Sequence, residues 1–206
     1  MRSIGIVELG IGNLGSLRNA LFNLGFEYQP VRTEAESMTC DALILPGVGS
    51  FAHGMALLST AGLIDGIRRH AAQGKPLLGI CLGAQLLFEE GSEGGDVSGL
   101  GLIPGRVRKL NVPASVPLPH VGWNEFQFDS AHPVLKGIKS GIDFYFVHSY
   151  CVDCPSEFVV GSTDYHEIFV SAVSRNNVFG VQFHPEKSQR NGLRLLENFC
   201  WWDGRC

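Results

Sequence analysis

Apolar residues occur in short runs that alternate with segments of helical periodicity. The runs Ile4 to Glu8, Ala42 to Leu45 and Leu77 to Ile80 have the length of fully buried strands. Between them lie two segments in which apolar residues recur every three or four positions: Leu17, Ala20, Leu21 and Leu24, then Leu63, Ile64, Ile67 and Ala71. This alternation predicts an α/β fold, a doubly wound and mostly parallel sheet flanked by helices.

The middle of the chain follows another pattern. Glu90 to Gly101 is rich in glycine and Val112 to Pro119 in proline, which predicts two loops. Short strands are predicted around and after them, with a hairpin turn at Ser174 to Asn177: Arg106 to Leu110, Glu125 to Phe128, Phe144 to His148, Phe158 to Ser162, Ile168 to Val173 and Val178 to Phe183. A last helix is predicted near Asn191 to Phe199. The sheet therefore gains an antiparallel portion, and residues 1–206 are predicted to form one domain.

Cys81 lies between two glycines at the end of the Leu77 to Ile80 run. The turn signal Lys75-Pro76 precedes that run, and Ala84 to Glu90 after the cysteine predicts a helix. A Gly-x-Cys-x-Gly turn from strand to helix is typical of a nucleophile elbow, whose reactive atom stands at the helix N-terminus. That end of a helix favours a thiolate, the nucleophilic form. The alternative is an inert buried thiol, which is the more usual state of a cysteine.

The run Val178 to Phe183 leads directly into His184, Pro185 and Glu186. A thiol nucleophile needs a base, and the base needs a group that orients it. In extended backbone, residues two apart point the same way, and Pro185 biases His184 away from helix. Cys81, His184 and Glu186, at the ends of two strands, are therefore predicted to form a catalytic triad. A His-Pro-Glu sequence by itself is more typical of a surface turn.

These motifs resemble those of the class I glutamine amidotransferases, which release ammonia from glutamine through a Cys-His-Glu triad. Three further segments are similar to the glutaminase subunits of imidazole glycerol phosphate synthases, from histidine biosynthesis: Leu45 to Gly49, Leu118 to Asn124 and Tyr145 to Tyr150. The resemblance extends from Gly12 to Phe199. It implies L-glutamine as the substrate, with no cofactor and no metal ion.

The resemblance also implies a mechanism. The Cys81 thiolate attacks the amide carbon of glutamine, and His184, held by Glu186, protonates the departing ammonia. Water activated by His184 then releases glutamate from the thioester. The tetrahedral intermediates need backbone N–H donors, an oxyanion hole, for which the candidates are the residue after the nucleophile and the glycine loop: Leu82, Val48 and Gly49. The alternative for that loop is a simple strand end.

Glutamine must also be held by its amino-acid end. The resemblance gives these candidates: Gly47, Gly49, Gln85, Ser149 and Tyr150. For Gln85 the alternative is a solvent-facing position on a helix, and for Tyr150 a position in the core.

A glutaminase of 206 residues leaves no room for an ammonia acceptor, so a partner chain is expected. The resemblance implies a (β/α)₈-barrel cyclase that forms imidazole glycerol phosphate and an aminoimidazole carboxamide ribotide. Four residues match family positions near the interface or the ammonia passage: Asn13, Trp123, Tyr145 and Lys187. Their alternatives are a turn residue for Asn13, core positions for the two aromatic residues and a solvated charge for Lys187.

Composition excludes several other classes of protein. Hydrophobic residues make up 45% and charged residues 17%, which excludes disorder, and the net charge of −4 argues against nucleic acid as a partner. No apolar run has transmembrane length and no signal peptide is visible, so a cytoplasmic enzyme is expected. Of the six cysteines, Cys151 and Cys154 form a lone C-x-x-C pair without a second pair for zinc. They are predicted to be reduced thiols without a function, with redox or metal chemistry as the alternative.

Other functions are compatible with parts of the pattern. Gly10, Gly12 and Gly15 fit the spacing of a dinucleotide-binding turn, with Glu34 or Glu36 as the ribose ligand, although the resemblance assigns this loop to the partner interface. The same fold could supply ammonia to another acceptor, such as a sugar amidinated for a surface polysaccharide. It could also be a silent scaffold for a cyclase or a hydrolase of γ-glutamyl peptides. Fold alone does not distinguish them.

Overall fold

A sheet of 13 strands with six α-helices is present in the computed structural model, which describes residues 2–10 and 14–205. The strands are β1 (Ile4–Val7), β2 (Tyr28–Val31), β3 (Ala42–Gly47), β4 (Leu77–Cys81), β5 (Phe88–Gly91), β6 (Val97–Ser98), β7 (Ile103–Lys109), β8 (His120–Phe128), β9 (Ile142–His148), β10 (Tyr150–Asp153), β11 (Val159–Asp164), β12 (Ile168–Arg175) and β13 (Val178–Val181). The helices are α1 (Leu14–Asn23), α2 (Glu34–Thr39), α3 (Phe51–Thr60), α4 (Ile64–Ala72), α5 (Leu82–Leu86) and α6 (Gln189–Trp201). Three short 3₁₀ turns cover Pro133–Leu135, Ser156–Phe158 and Pro185–Lys187.

Five parallel strands form one half of the sheet, in the order β2-β1-β3-β4-β13. All four residues of β1, all five of β4 and all four of β13 are buried, as expected for strands covered on both faces. In the register, Gly47 of β3 lies opposite Cys81, and Ile80 lies between Pro46 and Val181. The carboxyl ends of three neighbouring strands therefore meet, at the position where sites form in such sheets.

The helices cover both faces of this parallel half, which confirms the predicted doubly wound α/β architecture. One core contains Ile44 and Leu78 of the strands and is covered by α1 and α6. The other contains Leu43 and Leu77, the alternate strand positions, and is covered by α3, α4 and α5. No helix within the described residues is both long and apolar enough to cross a membrane.

The predicted antiparallel portion is also present. A tight turn with Asn176 at φ 54° joins β12 to β13, and β12 continues the sheet to β10 and β7. A long hairpin, β8 with β9, is attached through β11. The short strands predicted for this part of the chain are confirmed, and most are one to five residues longer than predicted. The proline-rich segment between β7 and β8 contains no helix or strand, as predicted.

The helix predicted for Ala84 to Glu90 is wrong beyond Leu86. Residues 88–91 instead form β5, which pairs in parallel with β7 and antiparallel with β6. Phe88 is fully buried opposite Ile103, and the carboxylate of Glu89 accepts the Gly105 N–H at 3.0 Å. Burial and strand pairing thus outweigh the helical preference of Leu and Glu. Part of the predicted loop from 90 to 101 is accordingly β-structure.

Several elements were not predicted: β2, α2, α3 and β10. Of these, α2 bears on the alternative of a dinucleotide-binding turn, because it contains Glu34 and Glu36. Glu36 closes a capping box at the start of α2 with Thr33, and Glu34 forms an ion pair with Arg69. Both carboxylates that could have bound a ribose therefore have structural partners. Residues 11–13 of the glycine turn lie outside the described residues.

Candidate active site

The predicted nucleophile elbow has a strained backbone at Cys81, between β4 and α5. Cys81 has φ 54° and ψ −112°, a conformation that non-glycine residues rarely adopt. A β-carbon on residue 79 would lie 2.6 Å from the Cα of Ala84, and one on residue 83 would collide with the Leu45 carbonyl oxygen. Both glycines of the motif are therefore needed for the close packing of the turn, and strain of this kind is typical of functional sites.

His184 and Glu186 are brought together directly after β13. Nδ1 of His184 lies 2.8 Å from Oε1 of Glu186, and both side chains are buried. The main chain of His184 is fixed as well, because its N–H donates to Tyr145 and its carbonyl accepts from the Ser188 hydroxyl. The expected extended geometry is wrong here. Residues 185–187 form a 3₁₀ turn, and this turn, rather than strand alternation, brings the carboxylate back to the ring.

The second nitrogen of His184 is available to the thiol, since Nδ1 is used by Glu186. Nε2 is buried and has no other hydrogen-bond partner among the described residues. The side chain of Cys81 acts on the ring through a hydrogen bond and through its charge. Burial opposes protonation of the ring, but the interactions with Cys81 and Glu186 outweigh it and raise the pKa of His184 to about 10. His184 is therefore held as an imidazolium at neutral pH.

A cavity of about 410 Å³ opens over Cys81. Its lining includes most of the residues predicted for the oxyanion hole and for glutamine binding: Val48, Gly49, Leu82, Gln85, Ser149 and Tyr150. Gly47 is not part of the lining; it lies behind the loop, where a β-carbon would press on Leu82 at 3.2 Å. Gly49 has φ 102°, so the loop backbone adopts a conformation that favours glycine. The volume suits an amino acid the size of glutamine.

The cavity is also lined by residues that were not predicted as site residues, three of which lie in the segments singled out from the sequence: Ser50, Glu93, Pro119, Val147 and His148. Glu93 is the only acidic side chain among the lining residues. Its Oε2 accepts the Phe51 N–H at 3.2 Å at the start of α3, and burial raises its pKa. The sequence placed Glu93 in a glycine-rich loop with three other acidic residues nearby, and nothing local distinguished it.

Gln85 is buried, which excludes the alternative of a solvent-facing position on a helix. Its Nε2 lies 3.1 Å from the Tyr150 carbonyl oxygen and 2.9 Å from Oε1 of Gln182. Gln182 was not predicted as a site residue, yet its Nε2 lies 3.7 Å from the Cys81 sulfur. Its only sequence signal was a polar residue inside the apolar run that ends at Phe183.

Three of the four predicted interface residues form one cluster at the surface. Trp123 is 46% exposed and its ring meets Tyr145 edge to face at 6.0 Å, while Nζ of Lys187 lies 5.6 Å from the Tyr145 ring centre. Val121, on the same face of β8, is 56% exposed. We call Val121, Trp123, Tyr145 and Lys187 the Trp123 surface. Asn13 lies outside the described residues.

Neither cysteine of the C-x-x-C pair lines the cavity over Cys81. Cys151 is buried in one core, whereas Cys154 packs against the other core on the opposite face of the sheet. Burial raises the pKa of Cys151 to about 12 and that of Cys154 to about 11, so both thiols are protonated at neutral pH. No group of three His, Cys, Asp or Glu side chains in residues 2–10 and 14–205 is arranged to hold a metal ion.

The sequence of the chain is similar to that of known proteins over nearly its whole length. The family model described as glutamine amidotransferase class-I matches residues 6–202. The chain belongs to this family. The amidotransferase is 49% identical over 200 residues to the imidazole glycerol phosphate synthase subunit HisH of Moorella thermoacetica, covering 97% of this chain and 94% of the relative. It is 47% identical to the subunit of the same name from Aquifex aeolicus, covering 97% and 96%.

Solved structures agree on the fold of the amidotransferase. A crystal structure of a glutamine amidotransferase matches with a TM-score of 0.73 at 23% identity, covering 95% of this chain and 96% of the other. The structure of PurLQS from Thermotoga maritima matches with a TM-score of 0.74 at 19% identity, covering 97% and 98%. At such identities the likeness concerns the fold alone.

Proposed function

We propose that this class-I amidotransferase is the glutaminase subunit of an imidazole glycerol phosphate synthase, which hydrolyses glutamine and passes ammonia to a cyclase. The observation that carries the proposal is the strained Cys81 elbow beside the buried pair of His184 and Glu186, under a cavity of about 410 Å³. The choice among amidotransferases is supported by relatives named as this subunit over 97% of the chain.

In the first half of the reaction, the Cys81 thiolate attacks the amide carbon of glutamine and the carbonyl electrons move to its oxygen. The N–H of Leu82, and an N–H of Val48 or Gly49, are the donors for that oxyanion. A donor of this kind contributes about 3–4 kcal/mol to the transition state. The imidazolium of His184 gives its proton to the departing nitrogen as the C–N bond breaks, which leaves a thioester and ammonia.

In the second half, His184 must act as a base. Formation of the thioester removes the negative charge from sulfur, and with it one of the two interactions that raise the pKa of His184. Having given its proton to ammonia, the neutral ring can accept a proton from water as the water attacks the thioester. Glu186 holds Nδ1 throughout, so that Nε2 faces the reacting atoms in both halves.

The amino-acid end of glutamine carries an ammonium and a carboxylate. Glu93 supplies the negative charge for the ammonium, as the acidic member of the cavity lining. Gly49, Gln85, Ser149 and Tyr150 are the polar positions left for the rest of the substrate. Since Gln85 already donates to Tyr150 and Gln182, it offers glutamine its oxygen rather than its N–H groups.

Ammonia must reach an acceptor before it is protonated in water. The Trp123 surface supports docking of a (β/α)₈-barrel cyclase, because it exposes two large apolar side chains on β8 next to the residue whose carbonyl holds His184. We propose that the complex works in the cytoplasm and makes imidazole glycerol phosphate and an aminoimidazole carboxamide ribotide.

The test measures glutamate release from glutamine by the purified chain, with and without a histidine-pathway cyclase and its ligand. Cys81→Ala serves as the blank. Little activity alone and a large rise with the liganded cyclase would support the proposal. No rise, with Cys81 still labelled by a glutamine-analogue chloroketone, would point to another acceptor enzyme. Full activity without a partner would point to a hydrolase.

A further inference from the structure

The backbone carbonyl of Tyr150 accepts two hydrogen bonds inside the molecule. Nε2 of Gln85 lies 3.1 Å from this oxygen and Nδ1 of His148 lies 2.8 Å from it. A carbonyl oxygen can only accept, so both side chains must present an N–H to it. The Tyr150 carbonyl therefore fixes the orientation of the Gln85 amide and the tautomer of His148, which geometry alone would leave open.

The orientation of Gln85 fixes that of Gln182. The second N–H of the Gln85 amide meets a side-chain atom of Gln182 at 2.9 Å, and that atom must accept. Gln182 therefore turns its Oε1 to Gln85 and its NH₂ group to Cys81, where Nε2 lies 3.7 Å from the sulfur. Each step follows from the acceptor character of one backbone oxygen.

Within the described residues, the sulfur has one further hydrogen-bond contact besides those with Gln182 and His184. The Val147 carbonyl lies 3.8 Å away and can accept only from the protonated thiol. The Gln182 amide, in contrast, donates, and a donor favours the charged form of the group it contacts. Gln182, like His184, therefore favours the thiolate form of Cys81, whereas the Val147 carbonyl favours the protonated thiol.

Gln182 is placed at some cost in this position. It is 3% exposed and directly follows Val181, the last residue of the fully buried strand β13. A buried amide costs free energy unless its hydrogen bonds are made, and an apolar side chain would pack here without that requirement. Its main-chain N–H is already bound to Ser171, so the side chain is not needed to secure the strand.

We propose that Gln182 stabilises the Cys81 thiolate through an N–H···S hydrogen bond, and that Gln85 and the Tyr150 carbonyl hold its amide in the donating orientation. Since it concerns the nucleophile, this role rests on the proposed function. Gln182 contacts the reacting atom, whereas Gln85 acts on it as a positioning residue.

The hydrogen bond from His148 to the Tyr150 carbonyl is kept in place by a second series of hydrogen bonds. Nε2 of His148 lies 3.0 Å from Nδ1 of His120, and Nε2 of His120 lies 3.3 Å from the Asn124 amide nitrogen. With Nδ1–H of His148 given to Tyr150, His120 must donate to His148 and accept from Asn124. Burial lowers the pKa of His148 to about 3 and that of His120 to about 4, so this arrangement persists at neutral pH.

The test is the pH dependence of Cys81 alkylation by iodoacetamide, which needs neither glutamine nor a partner. The rate is followed between pH 5.5 and 9.5 by mass spectrometry of the Cys81 peptide in the full chain. Within the described residues, the titratable groups that face the sulfur or its neighbours are His184 with Glu186 behind it, His148 near His184, and Glu93 and Tyr150 in the cavity lining. All of them stay unchanged in the variants.

Gln182→Met keeps the length of the side chain but cannot donate. We expect its alkylation to be about tenfold slower near neutral pH, with the midpoint of the profile about one pH unit higher and the limiting alkaline rate unchanged. Gln182→Glu, which turns an acceptor towards sulfur, should shift the midpoint further. Gln85→Met, which only frees the Gln182 amide, should shift it less.

Ser171→Ala is the matched control, because Ser171 is a buried polar residue on the neighbouring strand whose hydroxyl bonds to Thr163 and not to the site. Its profile should match that of the unmodified chain. Superimposable profiles for Gln182→Met and the unmodified chain would overturn the proposal. So would a rate lowered equally at every pH, which indicates a displaced thiol. A shifted profile in a chain that shows no glutaminase activity even with the liganded cyclase would refute the proposed function and leave the role of Gln182 intact.

Discussion

Gly83 packs so closely on Leu45 that a β-carbon at position 83 would collide with the Leu45 carbonyl oxygen. Gly83→Ala must therefore push the start of α5, and Cys81 with it, away from β3. We expect the substitution to lower the free energy of unfolding by about 1–3 kcal/mol, as for other overpacked sites. A displacement of about 1 Å at a nucleophile typically lowers the rate about 100-fold. Urea unfolding and glutamate release measure the two effects.

Gly62→Ala is the control for this substitution. Gly62 has φ 66°, so alanine is strained there, but no atom lies within 4 Å of the position of the new β-carbon. Backbone strain alone should cost about 1 kcal/mol and leave glutaminase activity intact. If Gly83→Ala behaved like Gly62→Ala, close packing at the elbow would not be what the second glycine provides.

The grouping of Cys81, His184 and Glu186 could be predicted because its signals are local. Gly79, Cys81 and Gly83 lie within one turn, and His184 and Glu186 are two residues apart at the end of a recognisable strand. The cavity could not be predicted in the same way. Its remaining polar contacts join residues far apart in sequence, such as Gln182 and Cys81, and depend on side-chain orientation that no periodicity encodes.

The fold shows the same division. The parallel half could be predicted because each of its central strands is a continuous apolar run between turn signals. Residues 88–90 were misassigned because Leu87, Glu89 and Glu90 favour a helix locally, while β7 and β6 supply the pairing that makes residues 88–91 a strand. Likewise, α3 was not predicted because a glycine, Gly54, lies in its interior and weakens the helical signal. In the structure this glycine allows close approach to Leu82.

Glu186 should stabilise the chain in a pH-dependent way through His184. The pKa of His184 is raised to about 10 in the folded chain, against about 6.5 for a free histidine. The stability that this shift contributes is fully present below pH 6.5 and is lost as the pH rises through 10. Glu186→Gln removes one cause of the shift, so we expect it to be less stable at pH 6 by about 2 kcal/mol. The difference should vanish towards pH 10.

Urea unfolding under reducing conditions at several pH values between 6 and 10 measures this difference. Taking the difference between two chains with the same cysteines cancels the titration of the other thiols. Glu125→Gln changes the charge by the same amount on an exposed side chain and should give a difference that does not depend on pH. A constant difference for Glu186→Gln would mean that the carboxylate does not stabilise an imidazolium.

Glu93 should determine the affinity for glutamine rather than the chemical step. In Glu93→Gln the amide oxygen can still accept the Phe51 N–H at the start of α3, but the negative charge in the cavity is lost. We expect the KM for glutamine to rise about 10–100-fold, as for the loss of one charged hydrogen bond, with little change in kcat. Cys81 alkylation by iodoacetamide, a small neutral reagent, should proceed at the rate of the unmodified chain.

Glu90→Gln is the control for Glu93, because Glu90 is exposed on β5 and does not line the cavity over Cys81. It should leave KM unchanged. A lower melting temperature of Glu93→Gln together with an equal loss of kcat and alkylation would assign Glu93 to the support of α3 instead of to the substrate.

The Trp123 surface should carry the docking energy of the cyclase. Exposed tryptophans at the centre of an interface often contribute 2 kcal/mol or more, so Trp123→Ala should raise the Kd for the cyclase by about 30-fold or more. Cys81 alkylation in the isolated chain should not change, because Trp123 does not line the cavity.

Trp201→Ala is the matched control. Trp201 is 70% exposed but ends α6, about 18 Å along that helix from the turn that carries Glu186. Calorimetric titration with the cyclase compares the three chains, and equal weakening by both substitutions would locate the interface elsewhere.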